Sequence, residues 1–95
     1  MNPFSKNERF RLTDVQSSAQ MGEETVILNH DAGVYFSLDE VGTVVWSALQ
    51  DSSRTFEELV DILVANFDVS VASCTADLEE LLTEFIHEKL VEVHP

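Results

Sequence analysis

The stretch V-Y-F-S-L-D-E-V-G-T-V-V-W, residues 34–46, joins the strand-rich first third of the chain to its helical remainder. Its first five residues are β-branched or aromatic, which predicts a strand with Val34, Phe36 and Leu38 on one face. Asp39 follows as a good helix N-cap. Apolar residues then recur at steps of four: Val41, Val45 and Leu49. We expect a strand that runs directly into a helix, both packed on one core.

Length and composition predict one folded domain. The chain has 95 residues, 44% of them hydrophobic, with one Trp and six Phe, so it can bury a modest core without disulfides. A single cysteine excludes an internal disulfide framework and fits a reducing cytoplasm. No signal-peptide pattern and no membrane-spanning apolar run is present. We expect a cytoplasmic protein, with a flexible tail at residues 1–8 and the domain at residues 9–95.

Acidic residues outnumber basic ones by eighteen to five, which gives a net charge of −13. Residues 23–95 hold sixteen acidic and two basic residues, whereas residues 1–22 hold two acidic and three basic ones. A surface that neutralises phosphates needs Lys and Arg in number. The sequence therefore predicts that neither nucleic acid nor an anionic membrane is a partner, and most of the acids are interpreted as solubilising.

The N-terminal third predicts a small antiparallel meander. Residues 24–30 contain a continuous apolar run, and residues 31–33 supply a turn in which Gly33 can take positive φ without steric cost. Residues 10–19 are interpreted as irregular extended structure, and residues 21–23 as a turn. Together with residues 34–38, these segments predict a three-stranded sheet.

The remainder predicts three helices and a short final strand. The first helix covers residues 39–49, where Gly42 costs about 1 kcal/mol and indicates a close packing contact. Thr55 and Glu58 form a capping box for the second helix. The third helix begins after Ser70 or Ser73 and lasts to about residue 88, with an apolar stripe of Cys74, Leu78, Leu81, Leu82, Phe85 and Ile86. This order predicts an α+β fold of the winged helix-turn-helix type, a three-stranded antiparallel sheet followed by three helices.

The sequence contains no arrangement typical of catalysis, metal binding or cofactor binding. Cys74 lies on the apolar stripe of the third helix, as a structural thiol would. The three histidines share no metal-ligand spacing, and C-x-x-C and phosphate-loop motifs are absent. Adjacent carboxylates such as Glu79 and Glu80 point about 100° apart on a helix and do not face each other. We therefore predict a non-enzymatic protein without a cofactor.

Two surfaces could recognise a partner. If residues 34–38 form an open sheet edge, their amides and carbonyls can accept a strand from another chain, although a half-exposed strand aromatic explains Tyr35 equally well. The third helix has a wider apolar stripe than one core requires, although a helix buried on two sides explains this equally well. If both surfaces are open, they form a groove with an apolar floor and a row of acids along one side: Asp77, Glu84 and Glu88.

Four segments together resemble the PqqD-like family of peptide-recognition domains: AGVYFSLDEVGTVVW at 32–46, RTFEELVDIL at 54–63, ADLEELLTEF at 76–85 and KLVEV at 89–93. The resemblance spans roughly residues 10–93. Within this family, the chain is most similar to the recognition protein of lasso-peptide pathways, in the position of Gly42 and in having the length of a separate, single-domain protein. Lys89-Leu90 stands where the family often has Gly-Leu, which implies a differently shaped end of the third helix.

The resemblance implies a non-catalytic protein that binds the leader of a ribosomally made precursor peptide. The leader would lie as an added antiparallel strand on residues 34–38, with its side chains in the groove against the third helix. A transglutaminase-like leader protease and a cyclase are the further partners implied. Asp77 and Glu84 would meet a basic or hydroxyl group of the leader. The expected peptide-binding residues are Val34, Tyr35, Phe36, Ser37, Leu38, Asp77, Leu78, Leu81, Glu84 and Phe85.

Three other functions fit the same pattern less well. A peptide chaperone for a radical SAM enzyme belongs to the same class, and the sequence barely separates it from a lasso-peptide protein. A DNA-binding winged helix has the expected fold but not the expected charge. A dimerisation module could use the same sheet edge.

Overall fold

The structure, a computed structural model, describes residues 4, 8–14, 16–21 and 24–94. Its elements in chain order are β1 (Arg9–Leu12), β2 (Gln16–Met21), β3 (Glu24–Asn29), β4 (Val34–Leu38), α1 (Glu40–Asp51), β5 (Arg54–Thr55), α2 (Phe56–Asn66), α3 (Val71–His87) and β6 (Val91–His94). The predicted α+β class, with a three-stranded antiparallel sheet followed by three helices, is confirmed.

Strands β2, β3 and β4 form the predicted meander, with β4 at one edge. The register of β3 and β4 runs from Thr25 opposite Leu38 to Asn29 opposite Val34. The hairpin turn closes through Gly33, which has a φ of 67° and donates its amide hydrogen to the Asn29 carbonyl (2.8 Å). The positive φ explains why glycine stands there. Among the described residues, no strand pairs with the outer edge of β4.

A second small sheet has the order β5-β1-β6. Its register places Arg9 opposite His94 and Leu12 opposite Val91, so the first and last described strands are neighbours. Most of the described residues of 10–19 are extended, as predicted, but they are not irregular, because β1 and β2 are regular strands of two different sheets. The partner of β1 lies some eighty residues later, and no local pattern reports such a pairing.

The helix starts follow the predicted capping residues. Asp39 Oδ1 accepts from the Gly42 amide at 2.8 Å. Thr55 and Glu58 bond reciprocally, at 3.2 and 3.0 Å. Ser70 caps α3 by accepting from the amide of residue 73 at 3.2 Å. Helix α1 continues to Asp51, two residues beyond its predicted end.

The core lies between the sheets and the three helices. Its largest fully buried side chains include Trp46, Phe10, Ile27, Leu59 and Leu78. Gly42 sits where α1 crosses the end of β4, and a Cβ there would lie 3.2 Å from the Leu38 Cβ. The close packing contact predicted for this glycine is thus present, and it fixes how the strand enters the helix.

The predicted tail at residues 1–8 falls mostly outside the described residues. Phe4 is described, and its ring packs against Phe10 and Phe56 with centroids 4.9 and 5.9 Å apart. This one residue of the predicted tail therefore contacts the core, whereas residues 1–3 and 5–7 lie outside the described part of the chain.

Candidate functional site

A groove runs between the open edge of β4 and the exposed side of α3. Its main hollow, about 420 Å³, is lined by Tyr35, Phe36, Ser37, Leu38, Asp39, Leu81, Glu84, Phe85, Glu88 and Leu90. A second hollow of about 220 Å³ is lined by Asp39, Val41, Asp77, Glu80, Leu81 and Glu84. Because three residues line both hollows, we treat them as one site and call it the β4–α3 groove.

The floor of the β4–α3 groove is apolar and firmly supported. Phe85 is only 3% exposed, and its ring meets Trp46 edge-on with centroids 5.6 Å apart. Leu90 is fully buried in the core. Leu81 is half-buried and belongs to the rim of the core rather than to its centre. Leu81 is therefore the floor residue that a ligand can contact with the least disturbance to the fold.

The sides of the groove carry five carboxylates: Asp39, Asp77, Glu80, Glu84 and Glu88. None of them has an ion-pair partner among the described residues. Arg9, Arg11 and Arg54 instead pair with Glu58, Glu92 and Asp51 elsewhere. The groove is consequently a concentrated negative surface that no described basic side chain neutralises through an ion pair.

Strand β4 presents both side chains and backbone to this space. Tyr35 is 70% exposed, and Ser37 is exposed and donates its hydroxyl hydrogen to Glu24 Oε2 at 3.1 Å. In an antiparallel pair, only part of the amides and carbonyls of an edge strand bonds to its neighbour. The remainder point outward from β4, where they can pair with an added strand.

The two walls of the groove are tied together by Asn29, a buried residue at the end of β3. Its Nδ2 donates to the Glu88 carbonyl at the end of α3 (2.8 Å). Its Oδ1 accepts from the amides of Asp31 and Ala32 in the hairpin turn, both at 3.0 Å. One side chain therefore joins the hairpin that carries β4 to the last turn of α3.

The end of α3 is a Schellman motif. The Leu90 amide donates to the Phe85 carbonyl at 2.9 Å, and the Lys89 amide donates to the Ile86 carbonyl at 3.0 Å. Lys89 takes the left-handed conformation, with a φ of 60°. Lys89 therefore adopts the backbone conformation that glycine favours, at the position where the family often has glycine.

Most of the predicted site residues come together. Seven line the main hollow: Tyr35, Phe36, Ser37, Leu38, Leu81, Glu84 and Phe85. Asp77 lines the second hollow. Val34 lies on β4 but lines neither hollow. Leu78 is 0% exposed and lies in the core, because it faces the opposite side of α3 from Glu80.

Sequence reasoning missed five residues of the groove: Asp39, Val41, Glu80, Glu88 and Leu90. Asp39 was assigned only to helix capping, and Val41 only to the core. Glu80 could have been found, since it lies three residues after Asp77 and four before Glu84 on the same helix face. Glu88 was recognised as part of the acidic row but not chosen as a binding residue.

Cys74 is buried, as predicted for a structural thiol. It is buried at the N-terminal part of α3, and burial, with a smaller contribution from the Asp77 charge, raises its pKa. Within the described part of the chain, no group of three or more histidine, cysteine or acidic residues could hold a metal ion. No helix described in the structure is long and apolar enough to cross a bilayer.

Comparison with known proteins assigns the family. The model of the family described as coenzyme PQQ synthesis protein D (PqqD) matches residues 24–91. The chain belongs to the PqqD family. The matched range begins with β3 and ends at the first residue of β6, so it contains both walls of the β4–α3 groove, and the resemblance predicted from sequence is confirmed.

Two solved structures are similar over nearly the whole chain. TbiB1 in complex with the TbiA(beta) leader peptide is 33% identical, with a TM-score of 0.80 over 86% of this chain and 94% of that chain. Lasso peptide synthetase B1 complexed with the leader peptide is 22% identical, with a TM-score of 0.76 over 87% and 96%. At the lower identity, the likeness concerns the fold. No curated protein sequence matches this chain significantly.

Proposed function

We propose that this protein binds the leader segment of a ribosomally made precursor peptide, of the lasso-peptide type, and that it acts by binding alone. The observation that carries the proposal is the β4–α3 groove, in which an open strand edge lies beside an apolar floor. The proposal is supported by the 33% identity with TbiB1, whose structure was solved with a leader peptide.

The leader pairs with β4 as an additional antiparallel strand. Backbone hydrogen bonds along Val34–Leu38 supply register and a part of the affinity that does not depend on side chains. Alternate leader side chains then point towards α3. The sheet extended in this way would have four strands, with the leader as the new edge.

Side chains of the groove supply specificity. Leu81 and Phe85 receive an apolar leader side chain, and Tyr35 covers it from the strand side. Asp77 and Glu84 accept hydrogen bonds from a basic or hydroxyl group. Leu78 has no direct contact in this scheme, since it supports the floor from within the core.

The bound leader is delivered to other proteins. A leader held on β4 leaves the following residues of the precursor free for a transglutaminase-like leader protease and a cyclase. A peptide chaperone for a radical SAM enzyme is the alternative within the same class, and the reading frames beside the gene distinguish the two.

The direct test is titration of a fluorescein-labelled synthetic leader, from the precursor encoded beside the gene, with the purified protein. We expect one-to-one binding, and we expect Leu81→Asp to weaken it at least tenfold, because a charge replaces an apolar contact at the floor. Leu81 is chosen over Phe85 because the latter is core and its replacement would unfold the protein.

Thr83→Asp is the matched control, since Thr83 is exposed on α3 and lines neither hollow. It should bind the leader as the wild type does. Trp46 fluorescence and circular dichroism report whether each variant is folded. The proposal is wrong if no encoded leader binds, or if Leu81→Asp and Thr83→Asp bind equally well.

A further inference from the structure

The exposed large apolar side chains of the described residues fall at two places. Val34 and Tyr35 lie on β4, whereas Val64 lies near the end of α2, Val69 in the segment that follows it and Val71 at the start of α3. In a chain this acidic, exposed apolar side chains grouped in this way indicate contact surfaces. The first group borders the β4–α3 groove, so the second calls for an explanation of its own.

A small apolar recess lies between Val69, one member of the second group, and the groove. It has a volume of about 30 Å³ and is lined by Val41, Leu63, Phe67, Val69, Cys74 and Asp77. Val41 and Asp77 also line the second hollow of the groove. The main hollow, the second hollow and the recess therefore form one continuous path along α3, from Glu88 to Cys74.

The middle of this path is acidic and has no cation of its own. Asp39, Asp77 and Glu80 line the second hollow, and none has an ion-pair partner among the described residues. A ligand that crosses from the groove to the recess must pass these carboxylates. Charge complementarity therefore favours a basic residue at that point of the ligand.

We infer that the leader continues beyond β4 and places an apolar side chain in the α2–α3 recess, with a basic residue in between. This inference rests on the proposed function, and it defines the class of leader recognised. An added strand antiparallel to β4 has its N-terminal end beside Leu38, which directly precedes Asp39 of the second hollow. The residues upstream of the paired segment are therefore the ones that reach the recess.

The length of α3 between the groove and the recess sets the number of leader residues between the paired segment and the apolar anchor. Helix α3 rises about 1.5 Å per residue, so the ten steps from Cys74 to Glu84 span about 15 Å. An extended peptide covers that length with roughly five residues. The apolar anchor is thus expected about five residues upstream of the paired segment, and its side chain is aliphatic and small, since the recess is narrow.

The test uses two synthetic leaders labelled with fluorescein at the C-terminus, one complete and one lacking the residues upstream of the paired segment. Each is titrated against wild type, Val69→Ser and Val34→Ser. Val69 and Val34 form a matched pair, because they are exposed to nearly the same extent, 42% and 43%, but Val69 lines the recess, whereas Val34 lies on β4 outside both hollows and the recess.

We expect Val69→Ser to weaken the complete leader about fivefold, in line with the loss of one small apolar contact, and to leave the truncated leader unaffected. The truncated leader should itself bind more weakly to the wild type. Val34→Ser should weaken both leaders by the same factor, because the truncation leaves the segment paired with β4 intact.

The electrostatic part is tested with Glu80→Gln against Glu57→Gln, a control on the exposed side of α2. Glu80→Gln should weaken binding of the complete leader about threefold at low salt and less at high salt. Glu57→Gln should leave the affinity unchanged at both salt concentrations.

The inference is overturned if Val69→Ser does not change the affinity for the complete leader, if it weakens both leaders equally, or if Glu80→Gln does not weaken binding at low salt. Binding of both leaders with equal affinity would overturn it while the proposed function stands, whereas binding of neither would refute both.

Discussion

Lys89 shows how a single backbone angle shapes the site. It is the non-glycine residue with positive φ in the described chain, and this conformation costs an L-residue about 1 kcal/mol or more. The conformation is required because Leu90 must turn back to bond the Phe85 carbonyl. That bond sets the end of α3 and hence one corner of the β4–α3 groove.

We expect Lys89→Gly to stabilise the protein by about 0.5–1 kcal/mol. Glycine removes the backbone strain of the folded state, and the greater entropy that it gives the unfolded chain offsets only part of this gain. Urea unfolding followed by Trp46 fluorescence measures the change. Lys89→Ala is the control, since it removes the same side chain but keeps the Cβ, and it should leave stability nearly unchanged. Equal stabilisation by both variants would contradict the assignment of the effect to backbone strain.

Individual residues also show what could be predicted from the sequence. The caps at Asp39, Thr55 and Ser70 were predictable because each bond closes within three residues along the chain. The positive φ of Lys89 was not, because a lysine gives no local signal for it, and its cause lies in contacts of the folded helix end. Val41 was assigned to the core because periodicity reports that a side chain is apolar, not which neighbour it faces.

At the level of elements, the groove depends on how the hairpin that carries β4 is positioned relative to α3. Asn29 makes that connection with one donor bond to α3 and two acceptor bonds within the hairpin turn. Thr13 also bonds the end of α3, by donating its hydroxyl hydrogen to the Lys89 carbonyl at 2.7 Å. Thr13, however, precedes β2, and its hydroxyl bonds go to the Lys89 and Leu90 carbonyls and not to the turn that leads into β4.

We expect Asn29→Asp to weaken leader binding several-fold while the protein remains folded. The carboxylate keeps the two acceptor bonds in the turn but cannot donate to the Glu88 carbonyl, so β4 loses its tie to α3. Thr13→Val is the matched control, because it removes a donor to the same helix end without touching the hairpin. Thr13→Val should lose about 1 kcal/mol of stability, and Asn29→Asp should lose more, because it buries a carboxylate against the Glu88 carbonyl.

The leader affinities of these two variants, measured by the same titration well below their unfolding temperatures, distinguish the roles. A loss confined to Asn29→Asp supports a positioning role in the groove. Equal affinities would mean that Asn29 only stabilises the fold.

The order of elements was predictable, and the pairing of distant ones was not. Strand β4, the three helices and the meander follow from alternation, helical periodicity and caps, all of which are local. The second sheet joins β1 to β6 across the whole chain, and the groove joins β4 to a helix some forty residues later. Alternation and periodicity indicated the second relation only on the condition that both surfaces are open, and the family resemblance then implied it.

At the scale of the whole molecule, the charge is concentrated where the ligand is proposed to bind. Asp77, Glu80, Glu84 and Glu88 follow one another on α3 at steps of three or four, so each repels the next by a few tenths of a kcal/mol. The net charge of −13 adds a general repulsion that favours expansion. The acidic row therefore destabilises the free protein, and a basic leader would relieve that repulsion.

Stability and leader affinity should consequently respond to charge with opposite signs. We expect the double variant Glu80→Gln/Glu84→Gln to be more stable than the wild type at low salt, by about 0.5 kcal/mol, and to bind the leader more weakly. Added salt should likewise raise the unfolding temperature of the wild type and lower its leader affinity, because screening reduces repulsion within α3 and attraction to the leader alike. Thermal unfolding and anisotropy titrations over a series of NaCl concentrations measure both. If the double variant loses stability, or binds the leader as tightly as the wild type at low salt, the acidic row serves solubility and not recognition.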